Sequence, residues 1–316
     1  MARLILKVVV FIIVGGLLLF PICYLSRVAY LNSLNDKIFS LPKETTTLIV
    51  GDSHPQVSVN PKLISGSRNI ASSAENYFYT YYKLKHFLNK NPQITTVILG
   101  FSWHNFPQNY QESFLFSESR SNIENYYLLL DEEGKSIVKN LRSSYLVPWL
   151  RYSFGVPMKL YLDKILSSRL LGNALTPESI DFFGGYKMTT KSVIDKKMTN
   201  EKLKVYFSDD HGSYSQSSPI MMEYLNKILK LCSGLNVKVV LLNTPVHVDY
   251  RSGVPNQSES SFEVARSNII KKYSNVLYVD YSDYRLPTNC FYDGDHINTY
   301  GAEIVTKAIK VVLGVE

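Results

Sequence analysis

A serine near the start of the chain and a histidine near its end are the residues best placed to do chemistry. Gly51-Asp52-Ser53-His54 follows the apolar run Thr47-Leu48-Ile49-Val50, and Asp293-Gly294-Asp295-His296 precedes Ile297-Asn298. A serine hydroxyl is a poor nucleophile until an imidazole takes its proton, and that imidazole needs a carboxylate to hold it in the right tautomer. Ser53, His296 and Asp293 supply these three groups, which together make an acyl-transfer site. Asp293 lies three positions before the histidine and reaches its ring N–H on a tight turn. Asp295 is the rival orienter, but as the immediate neighbour of His296 its side chain is expected to diverge. His54 is expected to pack or bind the turn rather than act as base, and Asp52 to brace the nucleophile loop through backbone hydrogen bonds.

These residues need elements that bring them together. Thr45 to Val50 reads as the first central strand, with Ser53 on the turn beyond its carboxyl end, where open α/β sheets bind ligands. Ser72-Ser73-Ala74-Glu75 predicts the cap of a helix running to Lys90, and Thr95 to Leu99 a buried parallel strand ending in Gly100. Further on, Pro219–Ser233 reads as helix, Val237–Leu242 as strand, Ser261–Tyr273 as helix, Val276–Asp280 as strand and Thr299–Leu313 as helix. This alternation implies a mostly parallel sheet between helices. It fails between Phe106 and about Ser208, a stretch with a helical, aromatic-rich segment (Ile123–Ser168), a Gly184-Gly185 turn and a lysine-dense piece. Residues 107–208 are therefore read as an insertion over one end of the sheet, whose role as cover, lid or docking surface stays open. Leu241 to His247 leaves another strand toward the same edge. Pro245 ends that strand, and His247 either lines the cleft or packs.

The N-terminus has its own signature. Val8 to Leu25 carries no charge and is preceded by Arg3 and Lys7. As a helix it spans about 27 Å, close to a bilayer's hydrocarbon thickness. The segment is read as an uncleaved single-pass anchor over residues 1–30, with a cytoplasmic N-terminus and residues 31–316 on the extracytoplasmic side. The net charge of +7 suits an anionic envelope polymer or acidic headgroups. The basic residues are dispersed and no nucleic-acid motif accompanies them. The 23 tyrosines serve either core packing or a sugar-facing surface. Beyond the apolar run stand Cys232 and Cys290, which an oxidising compartment would permit to pair. No Cys-x-x-Cys or His-Glu-x-x-His spacing argues for a metal, and no cofactor is expected.

The strand-Gly51-Asp52-Ser53 block, combined with Asp293-x-x-His296 before a C-terminal helix, resembles the SGNH/GDSL hydrolase superfamily. The resemblance implies a three-layer, flavodoxin-like α/β fold and an oxyanion hole built from the serine's backbone N–H, a second-block glycine and a third-block asparagine. Here Asn69-Ile70-Ala71-Ser72-Ser73-Ala74 has no glycine, and Gly100-Phe101-Ser102-Trp103-His104-Asn105 has Ser102 at the usual asparagine position. The oxyanion candidates are thus Ser53, Ser72, Ser102 and Asn105, with His54, His104 and His247 as cleft residues. The anchor and the degenerate oxyanion blocks resemble a membrane-anchored branch that acts in alginate O-acetylation and teichoic-acid D-alanylation. That branch implies an O-acyltransferase, with an acyl donor, a polysaccharide acceptor and a multispanning membrane O-acyltransferase as partners. A carbohydrate esterase and a non-enzymatic envelope scaffold are the alternatives.

Overall fold

A computed structural model describes residues 2–33, 39–116, 123–140 and 183–314. The chain divides into two compact units, Met1–Ser40 with Ile123–Phe182, and Leu41–Asn122 with Phe183–Glu316. Helix α1 (Ala2–Ser33) begins the first unit. The second contains strand β1 (Thr47–Val50), helix α2 (Ser53–Ser58), β2 (Ser67–Asn69), α3 (Tyr77–Lys90), β3 (Thr96–Gly100) and α4 (Gln108–Phe116). The first unit then contributes α5 (Ile123–Tyr126) and α6 (Glu132–Asn140). The second resumes with α7 (Lys196–Phe207), α8 (Pro219–Gly234), β4 (Lys238–Asn243), α9 (Val248–Arg251), α10 (Asn256–Lys272), β5 (Val276–Asp280) and α11 (Thr299–Leu313).

The five strands form one sheet in the order β2-β1-β3-β4-β5, and every pairing is parallel. This is an α/β architecture compatible with a flavodoxin-like doubly wound fold. Its central strands are near-continuous apolar runs because both faces are covered. Ile49, Ile98 and Val240 lie in register across β1, β3 and β4 and share a core with Val305 and Ile309 of α11. The alternate residues Leu48, Val97 and Val239 point to the opposite face by the two-residue period of a strand, and they are also fully buried. The order reverses between β1 and β3, so the loops leaving those two strands face each other at the carboxyl edge. Ser53 follows one of these strands and His104 the other.

Several boundaries differ from the sequence reading. Strand β2 was not expected, since Ser67-Arg68-Asn69 has no apolar pattern; it pairs through its backbone with Thr47–Ile49. The ladder continues past it, with Ile70 N–H donating to Ile49 O and Ser72 N–H to Gly51 O. That extension holds Ser72 and Ser73 away from the next helix, so α3 starts at Tyr77 and is capped by Asn76, whose Oδ1 accepts the Tyr79 N–H. Helix α10 begins at Asn256, ahead of the expected Ser261. Helices α4 and α7, at the two ends of the 107–208 stretch, belong to the sheet's unit, and residues 141–182 lie outside the described residues. Cys232 and Cys290 are buried free thiols. Among the described residues no helix is long and apolar enough to cross a membrane; several side chains of α1 within Val8–Leu25 lie outside that description.

Candidate active site

The nucleophile loop is set by contact between two strand ends. Gly51 has φ +119°, a conformation open to glycine, and a Cβ there would press on Gly100 N and Pro55 Cγ at 3.1 Å. Asp52 follows as the N-cap of α2, its Oδ1 accepting the His54 N–H at 2.9 Å. Its Oδ2 accepts from Asn105 Nδ2 at 2.7 Å and faces His104 Nε2 at 2.6 Å. Asp52 therefore joins the turn after β3 to the loop carrying Ser53. Burial alone would raise the Asp52 pKa, but the charge and hydrogen bond of His104 outweigh it and hold the carboxyl well below its usual range.

His54 shows the opposite balance. Burial, and then repulsion from His104, lower its pKa to about 4, so the ring is neutral near pH 7. Its Nδ1 lies 3.0 Å from Thr244 Oγ1 and its Nε2 3.4 Å from Asp295 Oδ2. A neutral ring with Nε2–H donating to Asp295 and Nδ1 accepting the Thr244 hydroxyl satisfies both contacts.

The base loop is folded around Asp293. Its Oδ1 accepts the backbone N–H groups of Asp295 and His296 at 3.2 and 2.9 Å, as well as the His296 Nδ1–H at 3.0 Å. Across the ring, His296 Nε2 lies 2.7 Å from Ser53 Oγ. The structure thus brings Ser53, His296 and Asp293 into one continuous chain of hydrogen bonds, although 243 positions separate the first two. Asp295 departs from expectation. Instead of diverging, its Oδ1 approaches His296 Nδ1 to 3.3 Å, and the carboxylate is fully buried. Two features draw it inward. The loop curls over the Asp293 carboxylate, and α7 supplies partners: Lys202 Nζ at 2.5 Å from Asp295 Oδ1, and the Tyr206 hydroxyl donating to Oδ2 at 3.0 Å. Lys202 Nζ also donates to Asp293 Oδ2 at 2.9 Å.

One imidazole between two carboxylates acquires a high proton affinity. Burial lowers it, but the charge of Asp295 and the hydrogen bonds of both carboxylates carry the His296 pKa up to about 10. Both acids fall below their ordinary values: burial raises them, and the opposing pull of His296 and Lys202 prevails. Lys202 is held above its own ordinary value, because the two carboxylates overcome its desolvation. At neutral pH the resting ring is an imidazolium whose Nε2–H donates to Ser53 Oγ. Its proton-accepting form grows as the pH rises.

Ser53 opens on a cleft of about 10 Å³, close to the smallest space that holds one water, walled in part by Ala74, His104, Tyr110, Phe114 and Tyr206. Ser72, Ser102 and Asn105 are not in that wall. The Ser72 N–H is spent on Gly51 O, the Ser102 N–H on Asn105 Oδ1, and the Asn105 amide on Asp52. The Ser72 N–H and the Asn105 amide are therefore committed elsewhere in this arrangement, whereas the Ser102 hydroxyl is buried without a hydrogen-bond partner. The wall contains Ala74 instead, at φ +60°. This left-handed conformation favours glycine, and here the second block holds it with alanine. Of the three histidines expected in the cleft, only His104 walls it. His54 lies behind Ser53, and His247 borders a separate cavity of about 620 Å³ together with Arg251, Arg285 and Tyr284. The His247 N–H donates to Gly294 O at 2.9 Å, which ties that cavity's rim to the base loop.

His54, Asp295 and His296 each offer a ligand atom within 4.8 Å of the others. Each is already engaged, and the Lys202 ammonium bonded to Asp295 opposes a second cation, so the cluster is suited to moving protons. The residues that sequence reasoning missed are Lys202, Tyr206, Thr244 and Ala74. A signal for two of them existed: Thr199, Lys202 and Tyr206 recur at helical spacing and share one face of α7. That face lies against the base loop, where a Cβ on Gly294 would come within 2.5 Å of Thr199 Oγ1. No protein-family model matches the chain, and no curated protein matches it either.

Proposed function

We propose that the chain is a serine-dependent O-acyltransferase of the SGNH type, working on a cell-envelope or secreted polysaccharide through an acyl-serine intermediate. The observation that carries this reading is the 2.7 Å contact between Ser53 Oγ and His296 Nε2, with Asp293 accepting from the opposite ring nitrogen. In the first step neutral His296 takes the Ser53 proton as Oγ attacks the acyl carbonyl, and the donor's leaving group departs with that proton. In the second step a sugar hydroxyl gives its proton to His296 as it attacks the acyl-serine, and the departing Ser53 Oγ takes that proton back from His296. Asp293 keeps the ring in the tautomer that both steps need. No cofactor takes part.

The cavity beside the base loop supports a bulky acceptor, since its volume of about 620 Å³ falls in the usual range for ligand sites and Arg251, Arg285 and Tyr284 offer polar and aromatic contacts. In this reading α1 is the membrane anchor through Val8–Leu25. The catalytic unit then lies on the extracytoplasmic side, and a multispanning membrane O-acyltransferase delivers the acyl group. A second reading, a carbohydrate deacylase, is favoured by the small cleft at Ser53, which has room for about one water.

Incubation with candidate acyl donors followed by mass spectrometry tests both readings. The expected result is an acyl adduct on Ser53 that passes to an added oligosaccharide; decay of the adduct only by hydrolysis selects the deacylase. Full activity of S53A rejects the serine mechanism altogether.

A further inference from the structure

Helix α7 belongs to the stretch that the sheet pattern leaves unexplained, yet it reaches both carboxylates of the base loop. Thr199 packs on Gly294, Lys202 bonds both carboxylates, and Tyr206 donates to Asp295. Lys202 is the one cationic side chain within this group, and 28% of its side chain remains exposed. We propose that Lys202 is a positioning residue that sets the proton affinity of His296, by neutralising part of the Asp293–Asp295 charge and holding both carboxylates at the ring. This deepens the acyl-serine reading of the site and rests on it.

The argument is electrostatic. His296 faces Asp293 and Asp295 on its own loop, and Ser53 and His54 from the nucleophile loop, the His54 ring centroid lying 5.0 Å away. Behind His54 stand His104 and Asp52. From α7 come Lys202 and Tyr206, the latter backed by Tyr110 of α4 and Tyr250 of α9. Among these groups the negative charges nearest the ring are the two carboxylates, and only Lys202 carries a positive charge to both. Without it they act on the imidazole unopposed. The protonated ring is then favoured further, and less of the neutral base exists at a given pH.

The test is the pH profile of Ser53 acylation by a fluorophosphonate, alongside NMR titration of the His296 ring in the S53A background. K202M is expected to move the His296 titration up by about one unit and to slow acylation about tenfold at pH below that titration. The deficit shrinks as the pH rises. K202R is expected to keep the wild-type profile, and K202C to regain it after aminoethylation, which rebuilds an ammonium at the same place. A pH-independent loss in K202M, or an unmoved His296 titration, overturns the proposal. If K202M does not fold, the K202C protein before and after aminoethylation decides by the same two readouts. Failure of wild-type Ser53 to react at any pH would reject the acyl-serine reading, whereas the NMR titration would still judge Lys202.

Discussion

The two loops that meet at Ser53 Oγ are built on different electrostatic plans. On the nucleophile side one buried carboxylate, Asp52, is matched by His104, by Asn105 and by the His54 N–H, and His54 stays neutral. On the base side two carboxylates crowd one imidazole and need a lysine from α7 to balance them. The first arrangement fixes a position, and the second stores a proton. A hydroxyl has to be aimed, whereas its base has to change charge, so rigidity suits one loop and surplus charge the other.

Substitutions on the two sides should therefore fail in different ways. The largest expected effect is in S53A, which removes the group both loops serve: fluorophosphonate labelling should fall by roughly a thousandfold or more, with the fold unchanged by circular dichroism. On the base side, D295N should lower the apparent pKa of acylation by about 1–3 units, making the protein more active at neutral pH than its parent. A stronger downward shift in D293N than in D295N would reverse the ranking of the two carboxylates given by their charge effects on His296. On the nucleophile side, D52A should leave the pH profile in place and cost about 1–3 kcal/mol of stability in urea unfolding, because His104, Asn105 and the His54 N–H lose their common acceptor. A changed profile in D52A would show that the separation between the loops is incomplete.

Stability should also follow pH on the base side. The folded His296 pKa lies above its unfolded value, so the stabilisation from its carboxylates is fully present below about pH 6.5 and is lost as the pH rises through about 10. Chemical unfolding across pH 6–10 should register this as a falling midpoint, and D295N should flatten the fall. The smallest effect is expected at Ala74: A74G relieves a left-handed backbone and should stabilise the fold by about 1 kcal/mol, read as a small rise in Tm.

These differences also explain what could be read from the sequence. The central strands were legible because Thr47–Val50, Thr96–Gly100 and Val276–Asp280 are compact apolar runs, and Ser53 and His296 stood out because each follows such a run or precedes a well-patterned helix. Strand β2 was hidden, since Ser67-Arg68-Asn69 joins the sheet through backbone groups that carry no side-chain pattern. The placing of Asp295 was hidden for another reason. Adjacent side chains diverge on an extended chain, but this loop curls around the Asp293 carboxylate and is met by a helix more than eighty positions away in sequence. Two oxyanion candidates, Ser72 and Asn105, misled because residue type says nothing of which partner a donor has already taken. Asn105 has the right chemistry, and its amide is bound to Asp52.

Gly294 gives the base loop a mechanical property as well. Thr199 rests where a side chain at that position would begin, so the absence of a single methyl group acts as the spacer between helix and loop. Add that carbon and it becomes a wedge: Lys202 and Tyr206, carried on the same rigid rod as Thr199, would be lifted from their acids together.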